Sequence, residues 1–362
     1  MVKKIGRLLK LMDKNNIEAY MIGPSTDLSF LIGLSTFICE RFQAFFLLKN
    51  GDFFYISPQV YYEEVNDIID ENKIFMWKDR EGFIDILKVA IDKYNLNNKK
   101  IAVNNTISAV DLIDIQNVCN CKFVNGQKLL EKLRIIKTEE EIKKLKKAAN
   151  LADDIMKTTI NYIKPGITEY DIKEKIRKTI TQLDTEGLSF EPIVSSGPNS
   201  SKPHYNKGER TIQEKDIIIL DLGCVYKGYC SDISRTVFVG DISEKEKKVY
   251  NIVKKAYEHA ENIVKEGITA EDVDQKARSI IEKARYGDFF INRTGHGIGV
   301  SVHEAPFIKT GNKLKLKKGM VFSIEPGIYI PGEFGIRIED IVLVTENGRE
   351  ILNTYPNKII VK

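Results

Sequence analysis

Along the first third of the chain, segments whose apolar residues have the spacing of a helix alternate with segments that have the pattern of a β-strand. Residues 3–15 place apolar side chains every three or four positions, which predicts a helix with one buried face. Strand-like runs at 44–48 and 53–56 flank Asn50-Gly51, a dipeptide typical of tight β-hairpins. Further helix-like and strand-like segments follow, at 82–94, 100–103, 109–118 and 122–124. We therefore predict an α/β domain over residues 1–130, with no glycine-rich phosphate loop and no evident catalytic cluster.

A helix-capping sequence, Thr138-Glu-Glu-Glu141, marks the beginning of a second domain, which we predict over residues 131–362. It opens a long amphipathic helix with an apolar stripe from Ile142 to Ile163 that ends at Pro165-Gly166. The opposite face is rich in lysine and glutamate, which is typical of a solvated helix surface.

The second domain contains an internal repeat. Residues 163–180 align without gaps on residues 264–281, and in both copies a glycine ends one helix and a threonine caps the next. A generic connection between two helices would explain the shared glycine and threonine, but the two copies are also followed by similar segments. Each copy is followed by a histidine-containing loop, a strand ending in an acid, a hairpin and a strand that carries an acid. We expect two pseudo-symmetric halves whose strands share one antiparallel sheet, with four carboxylates near the pseudo-axis.

Composition narrows the class of protein. The chain has 362 residues, 43% of them hydrophobic, and its 55 Lys and Arg against 51 Asp and Glu give a net charge of +4. This near balance disfavours partnership with nucleic acid or a membrane surface. The apolar runs, such as residues 217–220, are far shorter than the ~18 residues of a membrane span, and no apolar segment of a signal peptide follows the first charged residues. Five scattered cysteines without a Cys-x-x-Cys pair are expected to be reduced. We expect a cytoplasmic protein.

Four acids in strand-like surroundings of the second domain are candidate metal ligands: Asp221, Asp232, Glu325 and Glu339. Buried together, they would repel one another unless a multivalent cation compensates them or their protonation shifts. With His296 they form an oxygen and nitrogen set without sulfur, which suits Mn²⁺, Co²⁺, Fe²⁺ or Zn²⁺ rather than a structural zinc site. Carboxylates can bridge two metal ions roughly 3.5–4 Å apart, an arrangement that favours metal-assisted hydrolysis.

Each acid also has a simpler interpretation on its own. Asp221 could cap a turn at Gly223, and Glu325 could be a plain strand-end acid. Local ion pairs are the alternatives for the other two acids, Asp232 with Arg235 and Glu339 with Arg337.

All four histidines lie between positions 204 and 303. His296 stands between glycines, which allow a close approach of the backbone. His204 and His303 could donate hydrogen bonds to a substrate carbonyl or an oxyanion, and loop histidines without function are the alternative for all three. His259 lies in a helical pattern, and we interpret it as structural.

Six motifs follow one another in the second domain: Asp221-Leu-Gly, Ser231-Asp232-Ile-Ser-Arg-Thr, Gly295-His-Gly-Ile-Gly, Val302-His-Glu-Ala-Pro, Ile324-Glu325-Pro-Gly and Arg337-Ile-Glu339-Asp. In order and spacing they closely resemble the motifs of the pita-bread metallopeptidases, and the first domain resembles the creatinase-type N-terminal domain of proline dipeptidases and aminopeptidase P. The resemblance covers nearly the whole chain. It implies an α/β (α+β) protein in which the creatinase-like domain precedes a pseudo-symmetric catalytic domain with a curved antiparallel sheet covered by helices.

The resemblance also implies roles for the candidate residues. Two divalent ions are expected, with manganese as the first choice and cobalt or zinc as alternatives. Asp221 would bind one ion, Asp232 and Glu339 would bridge both, and His296 and Glu325 would complete the second. A bridging water or hydroxide would attack the scissile carbonyl while Glu325 shuttles its proton. His204 and His303 would stabilise the substrate and the oxyanion, and Arg337 would orient Glu339 or approach the C-terminal side of the substrate.

The implied substrate is a small peptide with proline in second position, and the implied assembly is a homodimer. We favour a dipeptidase that acts on free Xaa-Pro over an aminopeptidase that acts on longer peptides. Some proline dipeptidases have an arginine just after the His-Glu-x-Pro segment, where this chain has Phe307. Either Lys309 or Arg337 could replace that arginine, or the chain could accept longer peptides.

Three related functions agree less well with the sequence. Methionine aminopeptidases share the five ligands but do not normally carry this N-terminal domain. Creatinase lacks the intact metal set. Non-enzymatic binding proteins with this fold have lost ligands, whereas all five positions are present here.

Overall fold

The computed structural model describes residues 2–362, without the side chain of Val2. The chain forms two compact units, Met1–Leu133 and Arg134–Lys362. Among the described residues, no helix is both long and apolar enough to span a lipid bilayer.

The first unit is built around a mixed sheet. Its helices are α1 (Val2–Lys14), α2 (Thr26–Ile32), α3 (Tyr62–Asn66), α4 (Ile84–Lys93), α5 (Ala109–Val118) and α6 (Gln127–Arg134), the last of which ends at the first residue of the second unit. Its strands are β1 (Ala19–Ile22), β2 (Ala44–Leu48), β3 (Phe53–Pro58), β4 (Ile74–Trp77), β5 (Lys100–Val103) and β6 (Lys122–Asn125), in the sheet order β4-β3-β2-β1-β5-β6.

The predicted hairpin is confirmed in this sheet, because β2 and β3 pair antiparallel across the Asn50-Gly51 turn. Phe46 and Phe54 lie opposite each other in that pair, and their rings stack with centroids 4.4 Å apart. By contrast, β1 and β5 are parallel neighbours in the middle of the sheet. The sheet therefore places its most apolar segments at its centre.

The helices of the second unit repeat as two pairs. They are α7 (Glu139–Tyr162), α8 (Glu169–Ile180), α9 (Glu244–Asn262) and α10 (Ala270–Lys283). Thr138 and Glu141 form the predicted capping box of α7. Thr168 caps α8 and Thr269 caps α10 in the same way, each with an aspartate three residues later. The helical part of the predicted repeat is therefore confirmed.

The strands of this unit form two main sheets and several short ladders. The strands are β7 (Gly187–Leu188), β8 (Ile193–Ser196), β9 (Ile217–Leu222), β10 (Cys224–Tyr226), β11 (Tyr229–Cys230), β12 (Ile233–Phe238), β13 (Gly295–Gly297), β14 (Glu304–Ile308), β15 (Val321–Ile324), β16 (Gly327–Ile330), β17 (Phe334–Arg337), β18 (Asp340–Thr345), β19 (Gly348–Ile351) and β20 (Ile360–Val361). The sheet orders are β20-β12-β9-β8 and β14-β13-β15-β18-β19, with β16 paired to β17 and β10 lying between β7 and β11.

The repeat does not produce the single continuous sheet that the sequence suggested. The two main sheets are joined by an isolated antiparallel bridge between Ser234 and Glu339. The Glu339 carbonyl accepts a hydrogen bond of 2.7 Å from the Arg235 guanidinium, which also pairs with Asp340 at 2.7 Å. Where the two halves meet, hydrogen bonds from the buried Arg235 side chain thus take the place of hydrogen bonds between strands.

Two apolar clusters reflect the repeat. Residues of α7 and α8 pack with residues of β9 and β12, and residues of α9 and α10 pack with residues of β15, β16 and β17. Each helix pair thus covers strands of its own half, and Ile217 of β9 and Phe238 of β12 also pack in the cluster of α9 and α10. The packing holds the strand ends that carry the candidate acids.

Candidate metal centre

The first two candidate acids lie on neighbouring strands of the first half. Asp221 is in β9 after the aliphatic residues 217–220, and its Cα is paired with that of Ser234 on β12. Asp232 directly precedes β12. Because both carboxylates belong to buried strand segments, they lie among apolar neighbours instead of in water.

The second half contributes His296, Glu325 and Glu339. His296 lies in β13, where a Cβ at Gly295 would be 1.8 Å from the Ser323 carbonyl oxygen and one at Gly297 would be 2.2 Å from that of Ala305. These contacts require glycine on both sides of the histidine, as the sequence suggested. Glu325 follows β15, and Glu339 stands at the bridge between the sheets.

One cavity of about 570 Å³ brings all eight predicted site residues together. The five predicted ligands and three further residues line it: Asp221, Asp232, His296, Glu325, Glu339, His204, His303 and Arg337. Asp221, Asp232, His296 and Glu339 are 9%, 4%, 2% and 1% exposed, whereas His204 and His303 are exposed. The cavity thus has a buried acidic floor and two accessible imidazoles. His259 is exposed on α9 and does not line it.

The floor has the geometry of a cation site. Asp232, His296 and Glu339 each offer one ligand atom, and these atoms lie within 4.8 Å of one another. One oxygen each of Asp221, Asp232 and Glu339 is buried without a hydrogen-bond partner among the described residues. A carboxylate oxygen that is buried without a hydrogen-bond partner lowers the stability of the folded chain. A cation would satisfy all three, so these residues fit a metal site.

The histidine points to the same conclusion. Burial lowers the pKa of His296 to about 3, so its imidazole is neutral at neutral pH. Its Nδ1 lies 3.2 Å from the Gly297 carbonyl oxygen, which assigns the ring proton to Nδ1. The unprotonated Nε2 then lies 3.3 Å from a Glu325 oxygen and 3.7 Å from an Asp232 oxygen. When both carboxylates are ionised, these atoms can accept hydrogen bonds but cannot donate them, so a cation bound among them would be coordinated by all three side chains.

The acids shift one another's protonation. Burial, followed by the charge of neighbouring acids, raises the pKa of Asp232 and Glu339 well above its ordinary range. Burial raises the pKa of Glu325 to about 7, partly opposed by Arg337. The unbound site therefore holds protons that a divalent cation would displace.

Arg337 is hydrogen-bonded on several sides. Its Nη2 donates to Asp221 at 2.7 Å, its Nε to the Ser234 hydroxyl at 2.9 Å, and its Nη1 to the Tyr329 hydroxyl at 2.9 Å and the Pro203 carbonyl at 3.2 Å. The Ser234 hydroxyl in turn donates to Glu339 at 2.7 Å. Arg337 therefore orients Asp221 directly and Glu339 through Ser234.

These contacts exclude the two local ion pairs that were the simpler interpretations of Asp232 and Glu339. Arg235 pairs with Asp340, whereas Asp232 faces the cavity, so a local pair between Asp232 and Arg235 is excluded among the described residues. A simple ion pair between Arg337 and Glu339 is likewise not formed, since the arginine reaches Asp221.

Sequence reasoning missed several supporting residues. Ser234 could have been found, because strand alternation places it on the same face as Asp232. Ser323, which accepts from the His296 backbone N–H at 3.1 Å, gives no such signal. Asp274 accepts hydrogen bonds from the Thr294 hydroxyl at 2.7 Å and from Arg278, and so holds the loop before His296.

Comparisons with known proteins agree with this geometry. The model of Metallopeptidase family M24 matches residues 143–346, and that of the Creatinase/Prolidase N-terminal domain matches residues 4–136. An uncharacterized peptidase of Staphylococcus epidermidis is 34% identical over 352 residues, which cover 97% of this chain and 99% of the relative.

Solved structures are similar over nearly the full length. A recombinant prolidase from Thermococcus sibiricus has a TM-score of 0.95 and 37% identity, and the match covers 99% of this chain and 98% of that one. An X-Pro aminopeptidase from Thermotoga maritima has a TM-score of 0.87 and 32% identity, with 99% of each chain covered. The predicted resemblance and the predicted α/β fold class are confirmed.

Proposed function

The chain belongs to metallopeptidase family M24 and is a metal-dependent peptidase, and from that premise we propose that it is a dinuclear-metal dipeptidase that hydrolyses free Xaa-Pro. One observation carries the proposal. A buried acidic floor, in which three carboxylate oxygens have no hydrogen-bond partner among residues 2–362, lies under a cavity of about 570 Å³ that also holds two accessible histidines.

In this proposal Asp221, Asp232, His296, Glu325 and Glu339 hold two divalent cations. The unpartnered oxygens of three of these acids support that set. When bound, such cations lower the pKa of a water molecule and polarise the scissile carbonyl. The set contains no sulfur, which suits ions such as Mn²⁺, Co²⁺, Fe²⁺ or Zn²⁺. The family resemblance makes manganese our first choice, with cobalt or zinc as alternatives.

The remaining groups act on protons and on the substrate. A carboxyl with a pKa of about 7 can take up or release a proton near neutral pH, which suits Glu325 for moving a proton during hydrolysis. Burial, and then the charge of Arg293, lowers the pKa of His303, so its imidazole is neutral and can donate a hydrogen bond to a carbonyl oxygen. His204 lines the same cavity and is assigned the same task.

Arg337 is proposed as a positioning residue and not as a substrate ligand. Four of its five N–H groups already have acceptors in the described part of the chain. Little donor capacity is left for a peptide, so the role that fits is orientation of Asp221 and Glu339.

A dipeptide is our preferred substrate, and the cavity volume of about 570 Å³ lies within the range for small-molecule sites, roughly 300–1,000 Å³. The similarity to a prolidase supports this choice. The aminopeptidase alternative is supported by the similarity to an X-Pro aminopeptidase. The homodimer, the cytoplasmic location and the domains at 1–130 and 131–362 stay predictions.

The test compares substrates on the manganese-loaded chain. We expect release of methionine from Met-Pro at a kcat/KM at least about tenfold above that from Met-Pro-Ala, with little release from Met-Ala. Metal analysis should find about two ions per chain after incubation with Mn²⁺. A strong preference for Met-Pro-Ala would favour the aminopeptidase, and a chain without bound metal would contradict the dinuclear site.

A further inference from the structure

Lys173 of α8 is a buried lysine that the proposed mechanism does not use. The residue is 2% exposed and forms no ion pair with any residue that the structure describes. Its ammonium instead donates hydrogen bonds to two backbone carbonyls, that of Asn206 at 2.7 Å and that of Lys207 at 2.9 Å. An ammonium that is buried without a paired carboxylate lowers the stability of the folded chain, so stabilisation alone does not account for these contacts.

The two carbonyls belong to the loop that carries His204. His204 and Asn206 line the cavity, and both are exposed. On the other side of the histidine, the Pro203 carbonyl accepts a hydrogen bond from Arg337 at 3.2 Å. Residues 203–207 belong to no helix or strand, so no ladder of backbone hydrogen bonds fixes them. They are held instead by one buried cation on each side of the histidine.

The first turn of α8 anchors the same loop at positions before and after this segment. The Glu169 carboxylate accepts hydrogen bonds from the backbone N–H of Ser196 at 2.6 Å and from its hydroxyl at 2.8 Å. The backbone N–H of Tyr170 donates to the Gly208 carbonyl at 2.8 Å. Lys173 lies one turn further along the helix and reaches the residues that directly follow the histidine. One end of α8 thus supports the whole loop.

The internal repeat gives independent support for this arrangement. Lys173 and Asp274 occupy the same position of the two aligned copies, and both side chains are buried. Asp274 accepts hydrogen bonds from the hydroxyl of Thr294 at 2.7 Å and from its backbone N–H at 3.3 Å, and so holds the loop that leads to His296. The lysine donates to carbonyls, whereas the aspartate accepts from N–H and O–H groups. The same helix position therefore anchors a histidine-bearing segment of the cavity in each half, with opposite charge.

We propose that Lys173 is a positioning residue that holds His204 in the cavity through the backbone of Asn206 and Lys207. The inference rests on the proposed peptidase function, in which His204 donates a hydrogen bond to the substrate. Such a group must lie about 2.6–3.2 Å from the atom on which it acts. A displacement of about 1 Å can lower the rate on the order of 100-fold, so the anchoring of the loop bears directly on catalysis.

Two simpler roles of Lys173 lead to different expectations. A lysine that only fills space in the fold would affect all loops of the second unit when it is replaced, without preference for the loop of His204. A lysine that acts on the substrate by its charge would do so whether or not His204 is present, but Lys173 is not among the residues that line the cavity. Both differences can be measured.

The first test measures the anchoring of each loop by limited proteolysis of the folded full chain. Each of the two anchored loops contains a trypsin site, after Lys207 in one and after Arg293 in the other. We expect K173M to raise the rate of cleavage after Lys207 roughly tenfold, because two hydrogen bonds to that loop are lost, and to change cleavage after Arg293 by no more than about twofold. D274N should show the opposite preference. Mass spectrometry of the fragments identifies the two cleavages.

The second test is a double-mutant cycle on the manganese-loaded chain with Met-Pro as the substrate. We expect K173M to lower kcat/KM roughly tenfold and H204A to lower it by at least as much. The double variant K173M/H204A should be within about twofold of H204A alone, since the lysine acts through the histidine. K178M, which replaces an exposed lysine of the same helix, is the matched control and should keep the wild-type value.

The failures are distinguishable. Multiplied losses in the double variant, full activity of K173M or of H204A, or equally faster cleavage of both loops in K173M would overturn the role of Lys173 while leaving the peptidase function intact. A wild-type chain that does not cleave Met-Pro would overturn the proposed function, and the proteolysis would still decide whether the lysine holds the loop. Melting temperatures show whether the variants fold. If K173M does not fold, K173Q, whose shorter side chain cannot reach both carbonyls, replaces it in both tests.

Discussion

Two buried charge clusters of the second unit contrast sharply. In one, Glu304 is paired on both oxygens, with Lys137 at 2.7 Å on one and the guanidinium of Arg134 on the other. In the other, the carboxylates around His296 leave three oxygens without partners among the described residues. The first cluster is electrostatically complete within the chain, and the second is not.

The pKa values show the same contrast. Burial alone would raise the pKa of Glu304, but Lys137 and Arg134 lower it below its ordinary value. Burial and neighbouring acids instead raise the pKa of Asp232 and Glu339. Equal burial thus gives opposite shifts, and the difference lies in the counter-charge. One cluster contributes to folding by itself, whereas the other is a site for cations supplied from outside.

Removing one acid from the incomplete cluster should have the largest effect. D232N removes a charge that is proposed to hold both cations, and we expect kcat on Met-Pro to fall by on the order of 10³-fold. The same change relieves repulsion, so the metal-free variant should unfold at higher urea than the metal-free wild type. Steady-state kinetics and urea unfolding in EDTA measure the two effects. Activity close to the wild-type value would contradict the dinuclear site.

Removing the acid from the complete cluster should act in the opposite direction on stability. E304Q removes the charged partner of buried Lys137 and one charged partner of buried Arg134, and we expect a loss of about 3–5 kcal/mol in the free energy of unfolding. E350Q is the matched control, because Glu350 pairs with Lys146 at 2.7 Å on the surface and should cost at most about 1 kcal/mol. The contrast fails if E304Q and metal-free D232N shift the urea midpoint in the same direction.

The parts of this contrast that are local in sequence were predictable. The capping boxes at Thr138, Thr168 and Thr269 follow from residues three positions apart, and the candidate ligands follow from their strand context and from the family motifs. The division of the sheet was not predictable, because it depends on Arg235 reaching a carbonyl 104 residues away.

For the same reason, the contacts of Arg337 could not be predicted from the sequence. Arg337 and Asp221 are 116 residues apart in sequence, so spacing alone cannot show that the arginine is already occupied. The strand β1 was missed for a local reason. Its four residues are all buried and show no alternation of apolar and polar positions.

The stability of the metal-free chain should depend on pH with a definite sign. The pKa of Glu325 is raised from 4.5 to about 7 in the folded chain. Its contribution to the free energy of unfolding is therefore fully present below pH 4.5 and is lost as pH rises through 7. The expected loss is about 3 kcal/mol for this group, and Asp232 and Glu339 act in the same direction.

Manganese should reverse that slope. Cation binding needs ionised carboxylates, so the stabilisation by Mn²⁺ grows as pH rises. Melting temperatures between about pH 5 and pH 7.5, in EDTA and in Mn²⁺, measure both slopes. A metal-free chain that gains stability over this range would show that the acids are compensated within the chain, as Glu304 is.

The smallest effect should come from the hydroxyls that support the ligands. S234A removes the link between Arg337 and Glu339, whose hydrogen bonds are 2.9 and 2.7 Å, and should weaken Mn²⁺ binding by about tenfold with little change in KM. S323A is the matched comparison, since that hydroxyl contacts Glu325 at a longer 3.3 Å and should cost less. Manganese titrations followed by melting temperature rank the two variants. If S323A weakens Mn²⁺ binding more than S234A does, the contacts of Ser323 with His296 and Glu325 hold the candidate ligands more firmly than the link from Arg337 through Ser234 to Glu339.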